Sequence, residues 1–343
     1  MNDWMMLAIG SALRASGVIA LAWLLTLMLR RAAASTRHLV WASAVFVVLA
    51  TPALIVMLPQ LRIVLPHAVT ATVDRVPVAL PVAPRMARAS APRADDPVPA
   101  SGPRQRPDIG TVAMGLWALG AVAFLVYTLA GVLIAYRLRR RCLLIPMPVP
   151  SMAGRIRVAH SPDATTPFVS GVIRPIILLP AGAAHWSPER LRIVLLHELA
   201  HVSRRDCFTQ LIARIVCAIH WFNPLVWIAA RRLRIERERA CDDAVLTAGV
   251  RGSDYAHHLI DLAKTTPRLS LVHAAGVAMA HRSQLEGRLM SILNPRARTT
   301  SAFVARFIVF AFVLVAGVAA AVRIQAQDPA SMPGWKLAPL SRP

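Results

Sequence analysis

Three runs of the chain carry almost nothing but apolar side chains over the length a bilayer requires, about 20 residues. They are residues 39–58, 110–136 and 302–322. The first holds a single proline, Pro52, which a membrane helix tolerates; the second has no charge; the third carries Arg306 near its start. A fourth run, 4–29, contains Arg14. An arginine inside a span either reaches back to the interface with its long stem or faces a polar interior with a partner. The plainer expectation is the first. A signal peptide would want a basic start, but the chain opens Met-Asn-Asp-Trp and the run ends in Arg30-Arg31. The pattern therefore predicts four transmembrane helices.

Basic residues cluster after the first span (Arg30, Arg31, Arg37), after the third (Arg137, Arg139, Arg140, Arg141) and before the fourth (Arg296, Arg298). Short cytoplasmic loops carry such an excess. The N-terminus and C-terminus are then outside, with the chain in the cytoplasmic (inner) membrane. Residues 1–59 hold the first two spans. Residues 60–109 form a Pro-rich external loop expected to be loosely packed or disordered. Residues 110–136 are the third span, 137–300 a cytoplasmic domain, 301–323 the fourth span and 324–343 a short external tail.

Composition supports this. Hydrophobic residues make up 56% of the 343 and charged ones only 16%, which an ordinary soluble domain does not show. The formal charge of +22, from 39 Lys+Arg against 17 Asp+Glu, then belongs to a membrane surface. No zinc-finger spacing or RNA-binding signature accompanies it, so direct nucleic-acid binding is not expected. The four cysteines all fall between the third and fourth runs, in a reducing compartment, and are expected as free thiols.

Residues 137–300 open with short β-rich runs at 155–159 and 175–179, and the stretch 167–180 (PFVSGVIRPIILLP) reads as a hairpin. Ser187 then offers an N-cap, Pro188 the first helical position and Glu189 an acid at the positive helix end. The helix that follows carries His197-Glu198-Leu199-Ala200-His201. Positions i and i+4 share a face, so both imidazoles can reach one metal ion. Glu198 can approach water activated by that metal and take its proton. Zinc suits such a set, holding about four ligands with one position left for water. The plainer alternative is a helix with two unrelated histidines.

A third protein ligand must come from downstream. Asp206, His220, Glu236, Glu238, Asp242 and Asp243 are all candidates by residue type. Glu238 and Asp242 lie four apart in a second helical stretch, 224–247. One could bind metal while the other accepts a hydrogen bond from a ligand imidazole. The alternating arginines equally fit a salt-bridged exposed face. Between the motifs, 208–230 is apolar enough to suggest another span. A full crossing would separate the two motifs across the bilayer, so this segment is expected to double back near Asn223-Pro224. From His201 to Asn223 is about 33 Å of helix, but from Pro224 to Glu238 only about 21 Å. A break is therefore expected near 203–206, with Asp206 capping the resumed helix or, alternatively, orienting the site. His38, His67, His160, His185, His257, His258, His273 and His281 read as surface or packing residues.

The order of these features closely resembles the BlaR/MecR-type integral-membrane zinc metallopeptidases, which act as signal-transducing antirepressors. The order is three spans, GVIRPIILLP, HELAH, HWFNPLVW, ERACDDAVL and a fourth span. The resemblance is close over about 155–265 and loose over the first two spans. It implies a mainly α membrane protein with an α+β, gluzincin-like zinc-peptidase domain between spans three and four. It implies one Zn2+ per chain held by His197, His201 and Glu238, with Glu198 as general base and Asp242 supporting a ligand. It implies a protein or peptide substrate, namely a cytoplasmic transcriptional repressor and the chain itself, and it is compatible with a homodimer. In the antibiotic-sensing members a penicillin-binding sensor domain follows the fourth span. The stretch after 323 has no Ser-x-x-Lys motif, so sensing is expected to use the 60–109 loop, the membrane helices or a partner. The apolar hairpin suggests substrate addition as a strand, with Gly171, Val172, Ile173 and Arg174 as contacts. A non-catalytic transducer with structural zinc is the alternative, although such sites usually close all four positions with Cys or His. A transporter or scaffold has less support, because the spans hold few charges.

Overall fold

The computed structural model describes residues 3–57, 61–65, 109–145, 156–265, 276–293 and 302–326. Two long apolar helices open the chain, α1 (Asp3–Met28) and α2 (Ala34–Met57). Inside α2, Pro52 removes one backbone donor; beside it Thr51 donates its hydroxyl back to the Val47 carbonyl at 2.8 Å. In α1, Arg14 donates one turn back to the Gly10 carbonyl at 3.2 Å. After strand β1 (Leu61–Leu65) comes α3 (Ile109–Arg140), whose last turn carries Arg137, Arg139 and Arg140. Helices α1, α2 and α3 are long and apolar enough to cross a membrane, over Met6–Met28, Ala34–Ile55 and Ile109–Arg140. The run expected as a fourth span forms helix α9 (Ala302–Ala321), whose described apolar stretch, Phe303–Val318, is shorter than those three.

Four strands follow α3: β2 (Leu143–Ile145), β3 (Arg157–Ser161), β4 (Phe168–Ser170) and β5 (Ile176–Pro180). They form one sheet in the order β2-β3-β5-β4, with β3 and β5 parallel and the outer pairs antiparallel. The expected strands thus exist, each starting a residue or two later than the sequence suggested. Strand β5 is apolar without alternation because both of its faces are covered. Ile177 and Leu179 pack with Val158 and Leu195, whereas Ile176 and Leu178 pack with Ala159 and, from α3, Leu138. That leaves β4 as an edge, next to the helix that carries His197-Glu198-Leu199-Ala200-His201.

That helix is α4 (Pro188–Ser203), followed by α5 (Asp206–Ile219), α6 (Pro224–Thr247), α7 (Gly252–Thr265) and α8 (Gly276–Leu293). The 208–230 segment is the expected helical hairpin. Helix α5 ends before His220, Asn223 caps α6 by accepting from the Leu225 N–H at 3.0 Å, and Pro224 takes the first helical position. Its inner faces bury Ala213, Val216, Cys217, Val226, Ala229 and Leu233 in one core with α1, α2 and α9. The helices of this hairpin are thus built onto the bundle, and α2 is the shared centre. At the start of α2, Arg37 and Glu236 of α6 form an almost fully buried ion pair at 2.8 Å.

Helix α3 docks on the hairpin turn instead. Trp117 donates its indole N–H to the Ile219 carbonyl at 3.0 Å, and Trp221 donates to the Trp117 carbonyl at 3.2 Å. A Cβ at Gly120 would lie 2.4 Å from the Trp221 ring, so only glycine permits this approach. Elsewhere α3 exposes Leu119, Val122, Val126, Leu129 and Ile134, a surface that water would penalise and lipid would not.

One expectation about disorder fails locally. Residues 61–65 of the Pro-rich loop form β1, paired in parallel with β6 (Val322–Ala326) after α9. The sequence Leu-Arg-Ile-Val-Leu has the β-branched and aliphatic character that strands favour. The rest of the loop, the tail beyond 326, and His67 and His273 lie outside the described residues.

Candidate active site

The N-terminus of α4 forms as its residues dictate. Ser187 Oγ accepts from the Arg190 N–H at 3.3 Å, Pro188 needs no donor, and Arg190 stacks over Trp186 at 4.7 Å. Two and a half turns on, His197 and His201 stand on one face with ring centroids 4.9 Å apart. The helix stops at Ser203. Arg205 then takes a left-handed conformation, φ 56°, which is costly for a residue with a Cβ. This reversal turns Asp206 back toward the site. Asp206 does not cap α5: the capping position is Arg205, which makes no side-chain cap bond. Instead Asp206 Oδ2 accepts from His201 Nδ1 at 2.8 Å. Of the two readings of Asp206, the orienting one describes the structure.

His197 is oriented by a longer route. Tyr255, on α7, donates its hydroxyl to Asp242 Oδ1 at 2.6 Å, and the Tyr255 oxygen itself accepts from His197 Nδ1 at 2.9 Å. Asp242 is fixed in turn by a fork from Arg288 of α8, at 2.6 and 2.9 Å. The direct approach of Asp242 to His197 Nδ1 is longer, 3.5 Å. With both Nδ1 atoms engaged, both Nε2 atoms are left for one shared target.

Glu238 supplies the third side. Its Oε2 lies 3.7 Å from His197 Nε2, and donor atoms of His197, His201 and Glu238 fall within 4.8 Å of one another. Its other oxygen accepts from Arg237 Nε and Nη2 at 3.1 and 2.8 Å, and Arg237 reaches on to Gln210 at 2.7 Å. Burial works against ionisation of Glu238, but the His197 hydrogen bond and the Arg237 and Arg288 charges outweigh it. They hold the carboxyl well below the usual carboxylate range. Two imidazoles and an ionised carboxylate fit a divalent transition metal in both donor type and number.

A second group, His201, Asp206 and Cys241, also has donors within 4.8 Å. It fits a metal less well. Its imidazole nitrogen is the Nδ1 already bonded to Asp206, and burial pushes the Cys241 thiol up, so the thiolate that a metal needs is disfavoured. Cys241 lies 3.3 Å from that Nδ1 and 3.8 Å from Asp206 Oδ2, as part of the support for His201.

Glu198 is 7% exposed and lines a cavity of about 310 Å³ with the three donors. Burial raises its carboxyl above the usual value, against the pull of His197 and His201. One wall of the cavity is Pro167, Phe168 and Val169, at edge strand β4. Gly171, Val172, Ile173 and Arg174 are not on that wall. They form the turn to β5, where Gly171 has φ 102° and Ile173 is 91% exposed. A side chain at 171 would meet both Arg139 and the Arg174 carbonyl.

The other ligand candidates are drawn elsewhere. Glu236 faces Arg37 and Arg239, His220 is buried at the end of α5, and Asp243 is not on the cavity wall. His258, read as a surface or packing residue, does line the cavity, and His38 is buried 3.7 Å from Asp206. Sequence reasoning missed Tyr255, Arg288 and Arg237 as parts of the site. The first two come from separate helices with no spacing that ties them to the motif. Arg237 was read only as one of the alternating arginines.

Asp206→Asn tests the support of His201. The amide keeps the shape but cannot stabilise the Nδ1–H as a carboxylate does. Metal affinity is expected to fall about 10- to 100-fold, read by competition with a chromophoric chelator.

The profile of the BlaR1 peptidase M56 family matches residues 6–292. The regulatory protein BlaR1 of Bacillus licheniformis is 30% identical over 142 residues, 41% of this chain and 24% of that protein. BlaR1 of Staphylococcus aureus is 28% identical over 164 residues, 47% of this chain and 28% of its own length. The methicillin resistance protein mecR1 of Staphylococcus aureus is 28% identical over 92 residues, 26% and 16%. The matches thus span only 16% to 28% of the length of these curated relatives. With a match running from α1 through α8, the chain belongs to the BlaR1 peptidase M56 family.

Proposed function

We propose that this membrane protein is a zinc metallopeptidase that hydrolyses peptide bonds in transmembrane signalling, with a cytoplasmic repressor and the chain itself as substrates. His197, His201 and Glu238 hold the zinc. Bound there, zinc lowers the pKa of water and polarises the scissile carbonyl. Glu198 takes the proton from the attacking water and delivers it to the leaving amine; its burial keeps it poised for both steps. Asp206 holds His201, and Asp242 holds His197 through Tyr255. The carrying observation is that both Nδ1 atoms are tied down by buried carboxylate systems, while His197 Nε2 lies 3.7 Å from Glu238 and donors of His197, His201 and Glu238 converge within 4.8 Å beside the buried Glu198.

Substrate lies as an added strand along the free edge of β4, whose residues wall the cavity, with the 171–174 turn at its end. In this reading α9 is a fourth span, both termini lie outside the cytoplasmic membrane, and residues 137–300 form the gluzincin-like cytoplasmic domain. Arg30 and Arg31 just after α1 and the basic last turn of α3 support that orientation. The alternative, a structural zinc in a non-catalytic transducer, lacks a use for the buried Glu198.

The test is proteolysis in isolated membranes. A neighbouring candidate repressor and the protein itself serve as substrates, and fragments are identified by mass spectrometry. Cleavage is expected to stop with a zinc chelator and to return when zinc is restored in slight excess. Cleavage indifferent to the chelator, or no cleavage of either substrate under any inducing condition, would overturn the reading.

A further inference from the structure

A second cavity, of about 490 Å³, opens on the other side of α6 from the catalytic-motif cavity, where the ends of α1 and α2 meet α6 and α8. Its charged lining is four arginines, Arg30, Arg37, Arg232 and Arg239, against one glutamate, Glu236. Glu236 is already shared between Arg37 at 2.8 Å and Arg239 at 3.1 Å. Among the described residues no carboxylate pairs with Arg30 or Arg232; Arg232 instead stacks over Trp23 at 4.8 Å. Arg37 is only 5% exposed, so the cavity has a buried cationic floor and an open cationic rim.

The remaining walls say which anion fits. Trp23, Leu27 and Trp41 belong to the two apolar helices, and Trp23 lies five residues, about 7.5 Å, before the end of α1. Tryptophan at that depth marks the interface between headgroups and chains. Leu24, Leu27 and Met28 of the same turns are exposed, an apolar track leading away from the arginines. A free anion would use the arginines but not the track.

We propose that this cavity binds the phosphate headgroup of an anionic glycerophospholipid, with its acyl chains along the end of α1. The proposal rests on the ends of α1 and α2 facing one leaflet, and it is independent of peptidase activity. The ligand would sit against the Arg37–Glu236 pair that ties α2 to α6, two residues before Glu238, and so reinforce the seam between bundle and site.

The test uses the full chain in a neutral detergent. Thermal stability is followed while mixed micelles of dioleoyl phosphatidylglycerol, micelles of dioleoyl phosphatidylcholine, or inorganic phosphate are titrated in. Saturable stabilisation by phosphatidylglycerol alone is expected. In Arg30→Gln/Arg232→Gln, two exposed positions, half-saturation should need about thirtyfold more lipid. Arg137→Gln/Arg140→Gln removes the same charge at the end of α3 and should titrate like the wild type. Native mass spectrometry should show lipid retained by the wild type and the α3 variant and lost from the cavity variant. Equal effects of the two lipids, an unchanged cavity variant, or an equal weakening of both variants would overturn the site. Equal stabilisation by inorganic phosphate would overturn its assignment to lipid.

Discussion

Glu198→Gln should leave the metal in place and lower peptide cleavage about 100- to 10,000-fold, the usual contribution of a positioned general base. The substitution is close to isosteric. Glu198 is 7% exposed and surrounded by the cavity wall, so glutamine fills the same space without a charge to bury. It cannot take a proton, which is the step assigned to this residue. It also stands apart from the three donors that converge, His197, His201 and Glu238, so one zinc per chain should still bind with unimpaired affinity. The two readouts are zinc content by elemental analysis and initial cleavage rate with the same membranes and substrates. A rate within tenfold of wild type, with zinc bound, would remove Glu198 from the mechanism. Loss of zinc together with rate would instead place it in the ligand set.

How much of this site could be read from the residues follows from the range over which each feature is fixed. The two imidazoles sit four apart on one helix, and local helical geometry alone puts them on one face. Helix α6 begins where Asn223-Pro224 says it should, because both cap chemistry and proline geometry act within a turn. Helix α5 looked like membrane on composition; what separates it is the need for His201 and Glu238 to meet, which the Asn223 turn satisfies. Asp206 shows the limit. A capping aspartate and an aspartate that orients a ligand have the same sequence context. The left-handed Arg205, which no neighbouring residue announces, moves the role from one to the other. Tyr255 and Arg288 were beyond reach altogether, since only the packing of α7 and α8 against α6 brings them to Asp242. The partner of β5 was equally hidden: PIILLP reads as one half of a hairpin with β4, and nothing local says that its other edge pairs in parallel with β3.

Asp242→Asn is expected to be costly twice over. Asp242 is 2% exposed and accepts three hydrogen bonds, one from Tyr255 and two from Arg288. Arg288 is itself four-fifths covered, and its next carboxylate, Glu238, is 3.7 Å away. Removing one charge of a buried pair while leaving the other typically costs about 3–5 kcal/mol, because the remaining ion keeps its desolvation penalty. The same substitution weakens the hold on His197. An asparagine turned to offer its N–H would reverse the Tyr255 hydroxyl and set it against the His197 Nδ1 proton. Metal affinity should therefore fall about 10- to 100-fold as well. Tyr255→Phe separates the two effects. It cuts the link to His197 but leaves the Arg288–Asp242 fork intact, so stability should fall by only about 1–3 kcal/mol while the metal loss stays comparable. Chelator competition and thermal melts on the two single variants and the double variant form one cycle. If Asp242 acts on His197 through the tyrosine, the metal losses will not add: the double variant will bind zinc about as weakly as either single one. Additive losses would mean that Asp242 orients His197 directly across the 3.5 Å gap, and that the hydroxyl is a second, independent support.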